Sequence, residues 1–108
     1  MTPESVREFV IEQASKSTRL RSDRERLLRG LLPVPEKGLV RLDAFHAGIS
    51  NLSPGEYEVW FIIRLDPQSV FFDENPKLFG ACWGPEKETG HYTDLGYRSR
   101  DPVEMYLV

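Results

Sequence analysis

The residue types of a thiol-based active site occur in the last third of the chain. Cys82, His91 and Asp94 could serve as a nucleophile, a general base and a carboxylate that orients the base. Such catalysis needs the imidazole within hydrogen-bond reach of the sulfur and surroundings that favour the thiolate. The local Ala-Cys-Trp-Gly sequence matches no cysteine-hydrolase signature, and a small buried thiol in a strand is the commoner role. The sequence therefore favours a protein without catalytic residues.

Metal-ligating residue types are present but lack the spacing of a metal site. The candidates are His46, His91, Cys82 and Asp94, and the two histidines lie far apart in the chain. Zinc sites use closely spaced ligand pairs, and calcium sites use a regular acidic loop. Neither pattern occurs, so we expect no metal and no cofactor.

A run of arginines is the clearest charge feature of the sequence. The run contains Arg19, Arg21, Arg24, Arg26 and Arg29. A helix that binds nucleic acid would present such residues along one face in neutral or basic surroundings. Here Asp23 and Glu25 interrupt the run, which indicates a solvated helix whose arginine stems lie along apolar surface. Nucleic acid is therefore disfavoured as a partner.

Two pairs of adjacent aromatic residues predict a binding surface. Trp60-Phe61 and Phe71-Phe72 each place neighbouring rings on opposite faces of a strand. Helices can cover one face of a sheet, but the other face then needs a second cover or stays exposed. We expect Trp60, with Phe71 or Phe72, and Trp83 to form an aromatic surface of the kind that anchors protein interfaces. The alternative is that the loop after Trp83 folds over the rings and buries them.

A second candidate site involves the loop at residues 84–98 and the segment that follows it. Arg98 and Arg100 could bind a carboxylate or phosphate through bidentate contacts. A pocket between this loop and the sheet would belong to a small-molecule binding protein or a minor enzyme. Its candidate residues are Cys82, Trp83, His91, Asp94 and Arg98. Local ion pairs at an edge strand are the commoner role for such charges.

The elements that must position these residues change character at the Pro33-Val34-Pro35 break. Before it, apolar residues recur at helical spacing, and residues 1–32 are predicted to form a helical hairpin. The first helix begins after Thr2, a good N-cap, and the second is expected to begin at a capping box that starts with Ser22. The prolines prevent the second helix from continuing.

After the break, residues 36–108 are predicted to form a β-sheet region. The strand from 57 to 65 has the strongest alternation, and a hairpin is expected at residues 69–83. The segment 38–50 fits both helix and strand and is interpreted as strand. Two further strands are predicted, at residues 91–98 and 103–108. The resulting fold is a single α+β domain over residues 1–108, with two N-terminal helices packed on an antiparallel sheet of four to six strands.

Composition and charge favour a compact cytoplasmic protein. The chain has 108 residues, 40% hydrophobic residues, a net charge of −3 and one cysteine, so it has no internal disulfide. No signal peptide is evident, and the longest apolar run is too short to span a membrane. The charge divides unevenly, because residues 1–35 carry 7 basic and 5 acidic side chains, whereas residues 36–108 carry 7 and 12.

These observations predict a small soluble protein-binding module without enzymatic activity. An inhibitor or immunity-type protein, which would block a basic partner with its acidic sheet half, is one concrete form. The expected partner is another protein, without membrane or nucleic acid, and a homo-oligomer formed through the aromatic surface is an alternative.

Overall fold

The computed structural model describes residues 1–108 and contains four helices and five strands. The helices are Pro3–Ser15 (α1), Arg21–Gly30 (α2), Ala44–Ala47 (α3) and Pro102–Tyr106 (α4). The strands are Glu36–Leu42 (β1), Gly55–Ile63 (β2), Gln68–Asp73 (β3), Leu78–Trp83 (β4) and Tyr92–Asp94 (β5). The predicted α+β class is confirmed. No helix combines the length and the apolar character needed to cross a bilayer.

The five strands form a closed barrel in the order β1-β2-β3-β4-β5. Each strand is antiparallel to the next, but β1 and β5 are parallel and pair only at Val40–Tyr92 and Arg41–Thr93. The predicted antiparallel sheet is therefore only partly correct. An odd number of alternating strands brings the first and last strands together in the same direction, so closure requires one parallel pair.

The two N-terminal helices are present. The predicted N-cap of α1 is correct, whereas that of α2 is not. At α1, the Thr2 hydroxyl accepts a hydrogen bond from the Ser5 amide at 3.1 Å, as expected of its N-cap. Helix α2 begins at Arg21 without a side-chain cap, so the predicted capping box at Ser22 is wrong. Glu25 instead accepts a hydrogen bond from Arg21 at 3.0 Å along the helix surface.

Two segments predicted as strands contain short helices. In the segment 38–50, β1 ends at Leu42, and the Asp43 carboxylate then accepts a hydrogen bond from the His46 amide at 2.8 Å to start α3. The segment 103–108 belongs largely to α4, where the Asp101 carboxylate caps the Val103 amide at 2.9 Å. In both cases an aspartate cap outweighs a short alternation of apolar residues.

The strand predicted at residues 91–98 is shorter than expected. Only Tyr92–Asp94 pairs with its neighbours, because the chain turns at Gly96, which has φ +85°. A Cβ at Gly96 would overlap the backbone carbonyl of His46, so this turn needs glycine both for its conformation and for its close packing on α3.

Two apolar cores fill the protein. The inner core lies inside the barrel and consists of strand residues: Val40, Val59, Phe61, Phe71 and Cys82. The outer core lies between the barrel and helices α1, α2 and α4. Its buried members include Val6, Val10, Leu27, Trp60, Ile62, Ile63, Phe72, Phe79, Val103 and Met105. A register shift between Phe61 and Ile63 turns both Ile62 and Ile63 toward the outer core.

Glycine on one strand makes room for a phenylalanine on the next inside the barrel. Gly80 lies directly opposite Phe71, and a Cβ at Gly80 would overlap the Phe71 ring. Gly38 makes room for the Phe61 ring in the same way. The narrow barrel therefore holds two large rings only because these two positions lack side chains.

We expect Gly80→Ala to lower the free energy of unfolding by about 1–3 kcal/mol, because the added methyl group overpacks the inner core. Urea unfolding followed by circular dichroism measures the change. Gly48→Ala is the control, because its Cβ would lie 3.6 Å from the Phe45 carbonyl oxygen, an ordinary contact. Equal stability of the Gly80→Ala variant and the wild type would contradict the proposed packing.

Candidate functional site

Three of the four aromatic residues predicted to form a surface are buried. Trp60 is 6% exposed, lies under the helices and donates a hydrogen bond from Nε1 to Glu74 at 3.2 Å. Phe72 packs beside Phe79 in the outer core, with ring centroids 5.2 Å apart. Phe71 lies inside the barrel. The neighbouring rings do point to opposite faces, but a closed barrel encloses one face and the helices cover the other.

Trp83 is the exception, because it is 54% exposed. It is the last residue of β4 and lies on the same face as the buried Phe79 and Ala81. Phe79 packs in the outer core beneath the helices, whereas the end of the strand is left uncovered. Of the residues expected to form an aromatic surface, only Trp83 is therefore exposed.

Trp83 lines a groove of about 490 Å³. The other lining residues are Asp66, Pro67, Gly84, Pro85, Glu86, Lys87 and Glu88. The Gly84 amide donates a hydrogen bond to the Pro67 carbonyl at 2.8 Å, which ties together the two segments that form the groove. Prolines on both segments further restrict their backbones. The groove is thus a preformed feature rather than an open stretch of loop.

The charged residues of this groove are mostly acidic. Asp66, Glu86 and Glu88 contribute three carboxylates against the single ammonium group of Lys87. The loop that carries Glu86 and Glu88 has internal order, since the Glu86 amide donates to the His91 carbonyl at 2.9 Å and the Gly90 amide donates to the Glu86 carbonyl at 2.7 Å. An exposed indole therefore lies among mostly negative charges.

Arg98 and Asp94 come together, but in a buried ion pair rather than in an open pocket. The Arg98 guanidinium donates to both oxygens of Asp94, at 2.9 and 2.7 Å, and its side chain is 4% exposed. Nη2 also lies 3.9 Å from Asp73, and the guanidinium lies 4.9 Å from the centre of the Phe71 ring. The geometry is that of a structural pair that joins β5 to the segment after it.

Arg100 is exposed, whereas the Arg98 side chain is buried. Arg100 borders a shallow surface depression near the end of α1, together with Lys16 and Asp101. The Asp101 carboxylate there accepts a hydrogen bond from the Ser17 hydroxyl at 2.6 Å. The two arginines therefore do not form a single anion-binding pair.

Of the residues of the thiol-based alternative, Cys82 and Asp94 are cross-strand neighbours on β4 and β5, but His91 does not join them. Cys82 lies inside the barrel, and Asp94 is occupied by Arg98, whereas His91 borders a separate cavity on the surface. Burial raises the pKa of the Cys82 thiol to about 12, and the negative charge of Asp94 adds to this effect. The thiol is thus protonated at neutral pH and unsuited to nucleophilic attack. No group of three or more His, Cys, Asp or Glu residues is arranged to hold a metal ion.

Most of the residues that line the cavity beside His91 were not predicted as site residues. This cavity measures about 420 Å³ and lies between β1, β2 and the residues that lead into β5. Its lining is Gly38, Leu39, Arg41, Glu56, Phe61, Arg64, Gly90, His91 and Tyr92. Only His91 among these was a candidate. The sequence contains no local signal for the site, because Arg41 and Arg64 meet only through the register of the barrel.

Searches against protein-family models, curated proteins and solved structures find no match to this chain.

The burial of the Asp73 carboxyl group can be tested through the pH dependence of stability. Burial raises the pKa of this group above 3.8, against the opposing effects of the Asn75 amide and Arg98, while Asp94 adds to the increase. The folded state therefore holds the Asp73 proton more tightly than the unfolded state, and this residue makes stability fall as pH rises above 3.8. We expect the free energy of unfolding of Asp73→Asn, measured by urea unfolding, to increase relative to that of the wild type as pH rises through this range.

The matched control is Asp43→Asn, because hydrogen bonds from His46 hold the pKa of Asp43 below 3.8. The ionised Asp43 therefore stabilises the folded protein above that pH, and this contribution is lost as pH falls. The difference in unfolding free energy between Asp43→Asn and the wild type should thus change with pH in the direction opposite to that of Asp73→Asn. A stability difference for Asp73→Asn that does not vary with pH would refute the assignment.

Cys82 should resist alkylation in the folded protein. With its pKa raised from 9.0 to about 12, the thiolate fraction falls roughly 10³-fold, before burial blocks the reagent. Iodoacetamide labelling at pH 8, followed by mass spectrometry, should be slower by at least this factor in the native than in the urea-unfolded chain. An exposed thiol introduced by Ser53→Cys in the folded protein is the control, and rapid native labelling of Cys82 would show that the barrel opens.

Proposed function

We propose that this protein is a small non-enzymatic module that binds a basic segment of a partner protein in the Trp83 groove. The observation that carries the proposal is the exposed Trp83 ring, which lies in a groove with Asp66, Glu86 and Glu88. This retains the predicted protein-binding role but replaces the broad aromatic surface with a local site.

The chemistry of tryptophan supports a role in binding. A large indole left half-exposed retains apolar area that a partner would remove from water. Tryptophan is also enriched among the residues that contribute most to protein interfaces. The proline-containing segments on either side hold the groove in shape, which lowers the entropy lost on association.

The charges around Trp83 support a basic occupant. Lysine and arginine side chains of a partner would pair with the three carboxylates, and their cationic groups interact favourably with an indole face. The wider surface agrees with this choice, since residues 36–108 carry 12 acidic and 7 basic side chains. Long-range attraction would then increase the rate of association with a basic protein.

An inhibitor of immunity type is the concrete form that we favour for this module. Such a protein acts by occupying a basic functional surface on its target, and it needs a rigid acidic site but no catalytic group. The buried Cys82 thiol and the occupied Asp94 carboxylate are consistent with that requirement.

We expect Trp83→Ala to weaken the complex with the partner by about 30-fold or more, the loss typical of a central interface residue. The full chain, immobilised as bait, is used to capture proteins from lysate, and the affinity of a captured partner is measured by calorimetry. Cross-linking mass spectrometry then identifies the segment of the partner next to residues 83–88. Phe45→Ala is the matched control, because Phe45 is 81% exposed on α3, at a different place on the surface.

The proposal requires that the cross-linked segment be basic and that Glu86→Gln with Glu88→Gln weaken binding in a salt-dependent manner. Equal binding by the wild type and Trp83→Ala would overturn it. A bait that captures only further copies of itself, with a dimer in sedimentation equilibrium, would overturn it in favour of homo-oligomerisation.

A further inference from the structure

The cavity beside His91 exists because the barrel closes over only part of its height. Strand β5 pairs with β1 at Val40 and Arg41, so the part of β1 before Val40 has no strand on that side. The cavity of about 420 Å³ occupies this gap and is bordered by Gly38 and Gly90, which contribute no side chains. Its volume lies within the range of small-molecule sites.

Arg64 is held in one orientation at this cavity. Its Nε donates to Glu36 at 2.7 Å, and its Nη1 donates to the Tyr92 hydroxyl at 2.7 Å. The guanidinium also lies 4.1 Å from the centre of the Phe61 ring and 5.2 Å from that of Tyr92. These contacts fix the cation in advance and leave its Nη2 group without a protein partner.

Arg41 supplies a second guanidinium to the same cavity. Its Nε lies 3.6 Å from Glu56, beyond hydrogen-bond distance, and both side chains are about half exposed. An exposed pair of this kind contributes little to stability, so Arg41 can exchange its partner for a bound anion. Arg64 keeps its bond to Glu36 through Nε and needs no such exchange.

Apart from Glu56 and His91, the remaining lining of the cavity consists of glycine, aliphatic and aromatic residues. Leu39 is a half-exposed aliphatic side chain, and the Tyr92 and Phe61 rings lie around Arg64. A ligand that consisted only of a charged group would leave this apolar area in contact with water. A ligand with a flat ring would bury it while its charged group reached the two arginines.

From this geometry we propose that the cavity binds a small organic anion that carries a planar ring. The carboxylate or phosphate oxygens of the ligand contact Arg64 Nη2 and the Arg41 guanidinium, and the ring lies against Leu39 and Tyr92. Guanidinium groups match the geometry of both carboxylates and phosphates. The group that the site recognises is therefore an oxyanion, either planar or tetrahedral. This site is separate from the Trp83 groove and does not depend on the protein-binding proposal.

The test is a titration of the ¹⁵N-labelled full chain, followed by amide chemical shifts. Phenyl phosphate and benzoate are the two ring-bearing anions, inorganic phosphate is the anion without a ring, and benzylamine is the ring with the opposite charge. We expect at least one of the ring-bearing anions to shift the amides of Gly38, Gly90, His91 and Tyr92 in a saturable way. Inorganic phosphate should bind more weakly, and benzylamine should leave these amides unchanged.

The decisive variant is Arg41→Gln, which should weaken the binding of the ring-bearing anion by about tenfold or more through the loss of a charge-assisted contact. Because Arg41 is half exposed, the fold should survive, and the unchanged shifts of the β3 and β4 amides verify this. Arg100→Gln removes the same charge from an exposed position outside the cavity and should bind like the wild type.

Three results would overturn the proposal: no saturable shift at the cavity amides with either ring-bearing anion, equal binding by Arg41→Gln and the wild type, or benzylamine binding as tightly as benzoate. Equal affinity for inorganic and phenyl phosphate would overturn the assignment of the ring to Leu39 and Tyr92. If benzoate alone binds, the ligand class is aromatic carboxylates, and if phenyl phosphate alone binds, it is aromatic phosphate esters.

Discussion

The interaction on which the rest of this structure depends is the buried ion pair between Arg98 and Asp94. Strand β5 has only three residues and pairs with each neighbour over two positions, so its own ladder is weak. The bidentate contact from Arg98 and the bond from the Gly96 amide, at 2.8 Å, hold the end of this strand in place. Removing one partner would leave a charge buried without its counterion, which costs several kcal/mol. The ion pair thereby fixes the end of the strand that closes the barrel.

Both candidate binding surfaces follow from that closure. Because β5 is short, the chain between β4 and β5 forms a loop that carries Glu86 and Glu88 toward Trp83 at one side and His91 toward Arg64 at the other. The acidic groove and the cavity with two guanidinium groups thus lie on opposite sides of the same loop. The groove is mostly acidic, whereas the cavity presents two guanidinium groups beside Glu36 and Glu56, so each would select a different class of ligand. One short strand therefore determines the position of both sites.

Local patterns in the sequence predict the elements better than they predict closure. The alternation at residues 57–65 correctly indicates a strand there, and the predicted hairpin at residues 69–83 corresponds to the antiparallel pair of β3 and β4. The parallel contact between Val40 and Tyr92 leaves no local signal, because the two residues are distant in sequence. A closed barrel was therefore not predicted, and its enclosed inner face is the reason why Phe71 is buried. Trp83 was a candidate from its residue type alone, whereas Arg64 could not be recognised without the register of β1 and β2.

The two tryptophans of this protein lie in opposite environments, and this makes them separate optical reporters. Trp60 lies beneath the helices with its indole N–H bonded to Glu74, so its emission changes only when the outer core opens. Trp83 lies at the surface, among carboxylates, and its emission responds to whatever covers the end of β4. Replacing either indole by phenylalanine leaves a chain with a single tryptophan, whose emission is excited selectively at wavelengths that tyrosine does not absorb. Loss of structure and occupation of the surface can then be followed independently in the same unlabelled protein.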